Sequence, residues 1–331
     1  GKLSGANAMR TQVFAGMSGS PVYIDGKLIG AISYSFPWSK EPICGITPIE
    51  QMISIFADER KAVASTRPFS ISATSLMAEN WRIGLPFDTG GEVTLSASSN
   101  SSLSQMSGER MTPISLPVTF SGVSQKILDR FSPVLSAAGI TAVASVGSGG
   151  SRDLAPLKKA DENTLLGGDS VVMQLSRGDI SIAAAGTVTH RDGNKIYAFG
   201  HPFFSLGSTN VPMNESHVVI VVPSVNNSFK MAVADAMVGS LRQDRATGVY
   251  GILGEAPKML PVQMNLTTSR GRSESSRFES AIDEFLTPLI ISLGGQNTMI
   301  GHERTIGDTT VDVSATIKIK GHDSVRIQRR A

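Results

Sequence analysis

The sequence predicts a mainly β fold with α+β additions. Short apolar runs flank turn pairs such as Asp25-Gly26 and Asp192-Gly193, which are typical of two-residue β-hairpins. Two stretches, 111–150 and 260–331, instead combine strand-like runs with apolar residues at helical spacing. We therefore expect a β-rich body that carries two βαβ-like modules.

The N-terminal part predicts a hairpin over 22–32 and a helix over 48–62 with Thr47 as its N-cap. Residues 65–110 are poor in large apolar groups and predict a linker with intermittent strands. The elements expected in the first module are strand 114–120, helix 124–138 and strand 140–146. Those expected in the second are strand 260–264, helix 276–293 with a kink at Pro288, and strand 310–320.

Between the modules, residues 151–259 predict a unit built of strands. Strands at 170–175 and 180–189 turn at Arg177-Gly178-Asp179, and the next hairpin leads into Gly200-His201-Pro202. The glycine lets the backbone turn before the histidine, and the proline fixes the direction in which the chain leaves. A structural histidine at a strand end is the alternative interpretation.

Composition excludes several classes of site. The chain has 331 residues, a net charge of +2 and no Lys/Arg run, which does not favour a nucleic-acid binder. Its single cysteine, Cys44, allows no internal disulfide and no all-cysteine metal cluster. The histidines form no metal-binding pattern and no phosphate-binding loop is present, so we expect no metal and no cofactor. No apolar run reaches the roughly 18 residues that a transmembrane helix needs.

The stretch Gly16-Met17-Ser18-Gly19-Ser20-Pro21 carries the main functional prediction. Glycines on both sides of Ser18 permit positive φ, so the N–H groups of Gly16 and Ser18 can point toward one place. Two such donors are what an oxyanion hole requires. An ordinary Gly/Ser/Pro turn is the alternative.

These segments resemble known peptidases. Residues 16–21 resemble the Gly-Asp-Ser-Gly-Gly-Pro nucleophile loop of chymotrypsin-like peptidases. Residues 22–31 and 45–50, and further along the chain 198–203 and 243–251, resemble the SpoIVB-type serine peptidases of bacteria. The order of the serine and histidine segments is reversed relative to the sporulation members, so the chain resembles a permuted, non-sporulation branch.

The resemblance implies a trypsin-like double β-barrel in which one half supplies Ser18 as nucleophile and the other supplies His201 as general base. It also implies a site-selective endopeptidase outside the cytoplasm that acts on a protein or peptide substrate, with autoprocessing as an option. The expected units are a serine half at 1–64, a linker at 65–110, a module at 111–150, a histidine half at 151–259 and a module at 260–331.

The acid of a catalytic triad is not fixed by this resemblance, because residues 1–17 contain no Asp or Glu. Asp244 is the preferred candidate, since its separation from His201 is similar to that of base and acid in chymotrypsin. A turn residue that bonds its own backbone is the alternative for Asp244. Asp169, Asp179 and a Ser–His dyad are further options.

Two other function classes remain open. One is an inactive, peptidase-like binding module that uses the βαβ-like modules or the Phe203-Phe204 loop as a docking surface, and the other is a structural envelope protein. Because the sequence begins close to the serine loop and a barrel needs closed strand pairing, a cleaved N-terminal fragment of the same precursor is a further expected partner.

Overall fold

The computed structural model describes residues 1–36, 39–57, 93–94, 110–137, 139–145, 156–225, 227–269, 271–284, 286–302 and 310–330. The described part is mainly β, as predicted. Its helices are α1 (Ala6–Thr11), α2 (Ile49–Ala57), α3 (Gln125–Ala137) and α4 (Leu286–His302). Its strands are β1 (Pro21–Ile24), β2 (Lys27–Ser35), β3 (Cys44–Pro48), β4 (Val93–Thr94), β5 (Arg110–Pro113), β6 (Leu116–Ser121), β7 (Ile140–Ser145), β8 (Ser170–Gly178), β9 (Ser181–Asp192), β10 (Lys195–Ala198), β11 (Gly207–Val222), β12 (Phe229–Arg245), β13 (Gly248–Leu253), β14 (Met259–Thr267), β15 (Ser273–Ala281), β16 (Asp312–Ile317) and β17 (Val325–Arg330).

Six strands close into a ring. Strand β8 pairs with β11, and the ring continues through β12, β13, β10 and β9 back to β8, with every pairing antiparallel. Side chains such as Met173, Val188 and Leu241 fill its interior and belong to the largest hydrophobic cluster. Closure satisfies the backbone of each ring strand on both sides.

The module predicted at 111–150 is confirmed as β6–α3–β7. Strands β6 and β7 run parallel, and α3 buries Ile127, Leu128 and Phe131 against the main core. Strand β6 also pairs with β9 of the ring, with Val118 opposite Ala184. The module therefore continues the same sheet and is not packed as a separate body.

The module predicted at 260–331 is wrong in its arrangement. Residues expected to begin a helix form β15, which pairs with β14 and with β8 of the ring. The period-two burial of this polar stretch, with Phe278 and Ser280 facing the core, explains the strand. Helix α4 begins only at Leu286, whose N–H donates to the carboxylate of Asp283. Pro288 thus lies in the first turn, where it causes no kink.

The sheet of the serine half contains β1 to β5. The predicted hairpin is confirmed as β1–β2, and Asp25 and Gly26 have φ values of 49° and 75°, as a type I′ turn requires. Strands β3 and β5 pair with β2. Helix α2 confirms the described part of the helix predicted over 48–62, whereas most of the predicted linker lies outside the described residues.

At the C-terminus, the strand predicted over 310–320 is present as β16, and it pairs antiparallel with β17 to form a small separate sheet. None of the helices within the described ranges is long and apolar enough to cross a membrane.

Candidate active site

The serine loop is a tight turn fixed to β2. Gly16 and Gly19 have φ values of 92° and 96°, which confirms the predicted positive φ at both positions. The Gly19 N–H donates to Ile32 O at 2.8 Å, and the Ser20 N–H donates to Met17 O at 3.0 Å. The loop conformation is therefore set by local bonds and by the first hairpin.

The carbonyl groups of the serine loop face β9 of the ring. The Thr187 N–H donates to Ser18 O at 3.0 Å, and the Thr187 hydroxyl donates to Gly16 O at 3.1 Å. The Thr189 hydroxyl donates to Gly19 O at 2.8 Å. Three loop carbonyls are thus held by two threonines of the other half of the chain.

The two amides expected to form an oxyanion hole have no acceptor within the described part of the chain. In a trans peptide the N–H points opposite to the preceding C=O. The carbonyl of Ala15, which precedes the Gly16 amide, accepts an N–H from β12, and that of Met17, which precedes the Ser18 amide, accepts the Ser20 N–H. Bonds to the preceding carbonyls therefore fix the planes of both free N–H groups.

The histidine segment follows β10 in an unusual backbone conformation. Phe199 and Gly200 have consecutive positive φ values of 71° and 73°. The Phe199 ring occupies the space beside Gly186, where a Cβ atom would lie 1.8 Å from the ring. The Thr47 hydroxyl does not cap α2 as predicted. The only bond found for it among the described residues is its donation to Gly200 O at 2.6 Å. Contacts from both halves of the chain thus hold the backbone just before His201.

His201 is fully buried and neutral. Its Nδ1 lies 2.7 Å from Pro202 O, and because a carbonyl can only accept, Nδ1 carries the proton and Nε2 carries the lone pair. Burial lowers the pKa of His201 to about 4, against a smaller opposing effect of the Pro202 bond. Nε2 has no hydrogen-bond partner among the described atoms. His201 therefore offers an unprotonated nitrogen at neutral pH.

The serine and histidine segments contact each other through Gly19. A Cβ atom on Gly19 would lie 1.9 Å from Thr187 O and 2.6 Å from Phe199 N, so only glycine allows this approach. Ser18 is fully buried, and its Oγ, like Nε2 of His201, has no partner in the described structure. The segments are brought together, but no hydrogen bond joins Ser18 to His201. Buried polar atoms without partners are uncommon and costly.

Asp244 binds the loop that follows His201 and does not bond to the imidazole. Its carboxylate accepts the N–H groups of Phe203 and Phe204, each at 2.7 Å, and of Leu206 at 2.9 Å. Burial raises the pKa of Asp244 to about 6, although these three N–H groups act to lower it. In this geometry Asp244 positions the histidine loop.

The two weaker acid candidates are also occupied elsewhere. The carboxylate of Asp169 accepts the N–H of Leu166, and that of Asp179 accepts the N–H of Arg277. In the described structure, the imidazole therefore has a backbone carbonyl where a triad would place a carboxylate.

The Phe203-Phe204 loop is not an exposed docking surface. Phe203 is 0% exposed and Phe204 is 3% exposed, and their rings pack with centroids 4.1 Å apart in the main core. The three bonds to Asp244 hold this stretch against the core, so it does not offer the docking surface that the binding-module alternative named.

Sequence reasoning missed Thr187, Thr189 and Lys230. The Lys230 amine donates to Gly186 O at 2.8 Å and to the Thr187 hydroxyl at 3.3 Å. Burial lowers the pKa of Lys230 to about 7. A signal for it was available, because Lys230 shares the period-two phase of the small residue Ala232, which is also buried.

No cluster of three or more potential metal ligands occurs among the described residues. No family model matches this chain, and comparisons with curated proteins and with solved structures find no significant match. The resemblance to SpoIVB-type peptidases therefore stays a prediction that rests on the quoted motifs.

Proposed function

We propose that this chain is a serine endopeptidase with Ser18 as nucleophile and His201 as general base. The observation that carries the proposal is the contact between two unusual segments. The serine loop presents the buried Ser18 together with the amides of Gly16 and Ser18, which have no acceptor among the described atoms. The histidine segment presents a neutral His201 whose Nε2 has no partner there. A trypsin-like arrangement is supported by the closed six-stranded ring, which supplies His201, beside the β1–β5 sheet that follows Ser18.

In the proposed mechanism, Nε2 of His201 takes the proton of Ser18 Oγ as this oxygen attacks a peptide carbonyl. The N–H groups of Gly16 and Ser18 stabilise the oxyanion. His201 then gives its proton to the leaving amine, and water hydrolyses the acyl-enzyme by the same proton transfers. Pro202 O orients the imidazole, so the site works as a Ser–His dyad, and Asp244 holds the loop.

The substrate of this enzyme would be a protein or peptide outside the cytoplasm. Ser18 and His201 are both 0% exposed. A substrate therefore reaches them only after the groups that cover these two side chains move. The closed site is consistent with an enzyme that cuts few proteins.

The direct test is labelling by a fluorophosphonate, which reacts only with an activated serine. We expect one adduct on Ser18, located by peptide mapping, and none in the Ser18→Ala and His201→Ala variants. Ser20→Ala is the matched control, because its hydroxyl donates to Met17 O within the same loop and has no catalytic role in the proposal. Labelling that persists in His201→Ala would refute the role of the base.

An inactive binding module is the second candidate. It is favoured by the full burial of Ser18 and by the lack of a hydrogen bond between Ser18 and His201 in the described structure. This candidate predicts no adduct on folded wild-type protein over a range of probe concentrations, and equal retention of a protein partner by the wild type and Ser18→Ala.

A further inference from the structure

Lys230 carries a buried amine without a carboxylate partner among the described side chains. It lies at the start of β12 and is 5% exposed. Within the described ranges, its amine donates to two uncharged oxygens, those of Gly186 and Thr187. Burying an amine without a counter-ion costs free energy, so an apolar side chain would make a more stable barrel. Its presence calls for a role other than packing.

Lys230 contacts the serine loop through both its backbone and its side chain. Its backbone N–H donates to Ala15 O at 2.9 Å. A Cβ atom on Gly16 would lie 3.0 Å from Lys230 Cβ and 3.1 Å from Lys230 Cε, so the stem of the lysine lies flat against that glycine. The backbone N–H of Lys230 therefore holds the peptide before Gly16, and the side chain of Lys230 packs against Gly16 itself.

The amine also sets the direction of a hydrogen bond to the loop. A threonine hydroxyl has one proton to donate. Because Lys230 Nζ donates to the Thr187 hydroxyl, that hydroxyl must use its own proton elsewhere, and it donates to Gly16 O at 3.1 Å. Without the lysine the hydroxyl could rotate and accept or donate in other directions. The relay runs from Lys230 through Thr187 to Gly16.

We propose that Lys230 is a positioning residue for the oxyanion hole. Its amine, through Thr187, holds the Gly16 carbonyl, and its backbone N–H holds the Ala15 carbonyl and with it the plane of the Gly16 N–H, so Gly16 is fixed on both sides. This inference rests on the proposed peptidase function and adds the group that keeps the loop ready for catalysis. Lys230 touches neither Ser18 Oγ nor His201 by a hydrogen bond in the described structure, so its effect passes through the backbone.

The test compares Lys230→Met, Thr187→Val and the double variant with wild type. Lys158→Met is the matched control, because Lys158 is an exposed lysine that pairs with Glu215 on the surface. Two quantities are measured: hydrogen–deuterium exchange of the peptide covering 14–20, and the rate constant and final extent of fluorophosphonate labelling at Ser18. Urea unfolding confirms that each variant is folded under the assay conditions.

We expect each single variant to speed exchange of the 14–20 peptide about tenfold, and to slow labelling about 10- to 100-fold with an unchanged final extent. This range is below the effect of losing an oxyanion donor outright, because the donor is displaced and not removed. The double variant should match either single variant, since both changes break one relay. Lys158→Met should behave as wild type.

Several results would overturn the proposal. Exchange in Lys230→Met equal to that of Lys158→Met would show that the lysine does not hold the loop. A reduced final extent at an unchanged rate constant would show a purely structural role, and additive effects in the double variant would exclude the relay. If wild type is not labelled at all, the peptidase function fails and exchange alone decides the role of Lys230. If Lys230→Met does not fold, Thr187→Val carries the same test of the relay.

Discussion

Replacing Gly19 by alanine tests the junction between the two segments most directly. A Cβ atom there meets two backbone atoms, Thr187 O at 1.9 Å and Phe199 N at 2.6 Å, and no rotamer change can relieve a backbone contact. Relief requires the loop to move by more than about 1 Å, which breaks the bonds that Thr187 and Thr189 make to it, about 1 kcal/mol each. With left-handed strain of about 1–2 kcal/mol and overpacking of about 1–3 kcal/mol added to the loss of these three bonds, we expect the free energy of unfolding to fall by roughly 5–8 kcal/mol.

Gly26→Ala is the matched control for this change. Gly26 also has a positive φ, 75°, but no atom lies within 4 Å of the Cβ position. It should lose only the strain, about 1–2 kcal/mol. The assay is equilibrium urea unfolding of the three proteins followed by far-ultraviolet circular dichroism. Equal losses for Gly19→Ala and Gly26→Ala would refute the contact between the serine and histidine segments.

Three further predictions concern buried groups. Burial holds the pKa of Lys230 near 7, so between pH 7 and 10.5 the lysine is protonated in the unfolded state but not in the folded state. As pH rises through that window, the free energy of unfolding of wild type should therefore increase by about 4–5 kcal/mol relative to that of Lys230→Met, measured by urea unfolding. Burial also lowers the pKa of His201 to about 4, so wild type should lose about 3 kcal/mol relative to His201→Ala as pH falls from 6.5 to 4. Gly200→Ala should be strongly destabilising, because its Cβ would lie 2.0 Å from Ser33 Oγ, and Ser33→Ala should recover at least about 1 kcal/mol of that loss in a double-mutant cycle.

The serine loop and its hairpin could be predicted from the sequence because their geometry is local. Positive φ at Gly16 and Gly19 and the type I′ turn at Asp25-Gly26 follow from residues that tolerate such backbone angles. The β6–α3–β7 module was predictable for the same reason, since its helical spacing and flanking strands lie within one short stretch.

The partners of the loop could not be predicted, because they come from distant parts of the chain. Thr187 and Thr189 bind the loop only once β9 is placed beside it by ring closure, which depends on pairings between strands far apart in sequence. Asp244 does lie beside the histidine segment, as its separation from His201 in the sequence predicted. Its carboxylate binds the nearest free donors, however, and in the fold these are the amides of the loop that follows His201. The orientation of the His201 ring toward Pro202 O is a rotamer choice that no sequence pattern encodes.

Replacement of a carboxylate by the carbonyl of Pro202 has consequences for the proposed chemistry. Both groups accept the Nδ1 proton and so fix Nε2 as the base, but only a carboxylate carries the full negative charge that stabilises an imidazolium ion. With burial holding the pKa of His201 near 4, proton transfer from Ser18 is uphill in the closed site. Opening of the site admits water and partly reverses the burial that lowers this pKa. On the proposed mechanism, the step that admits substrate therefore also strengthens the base, so activity is linked to opening of the site.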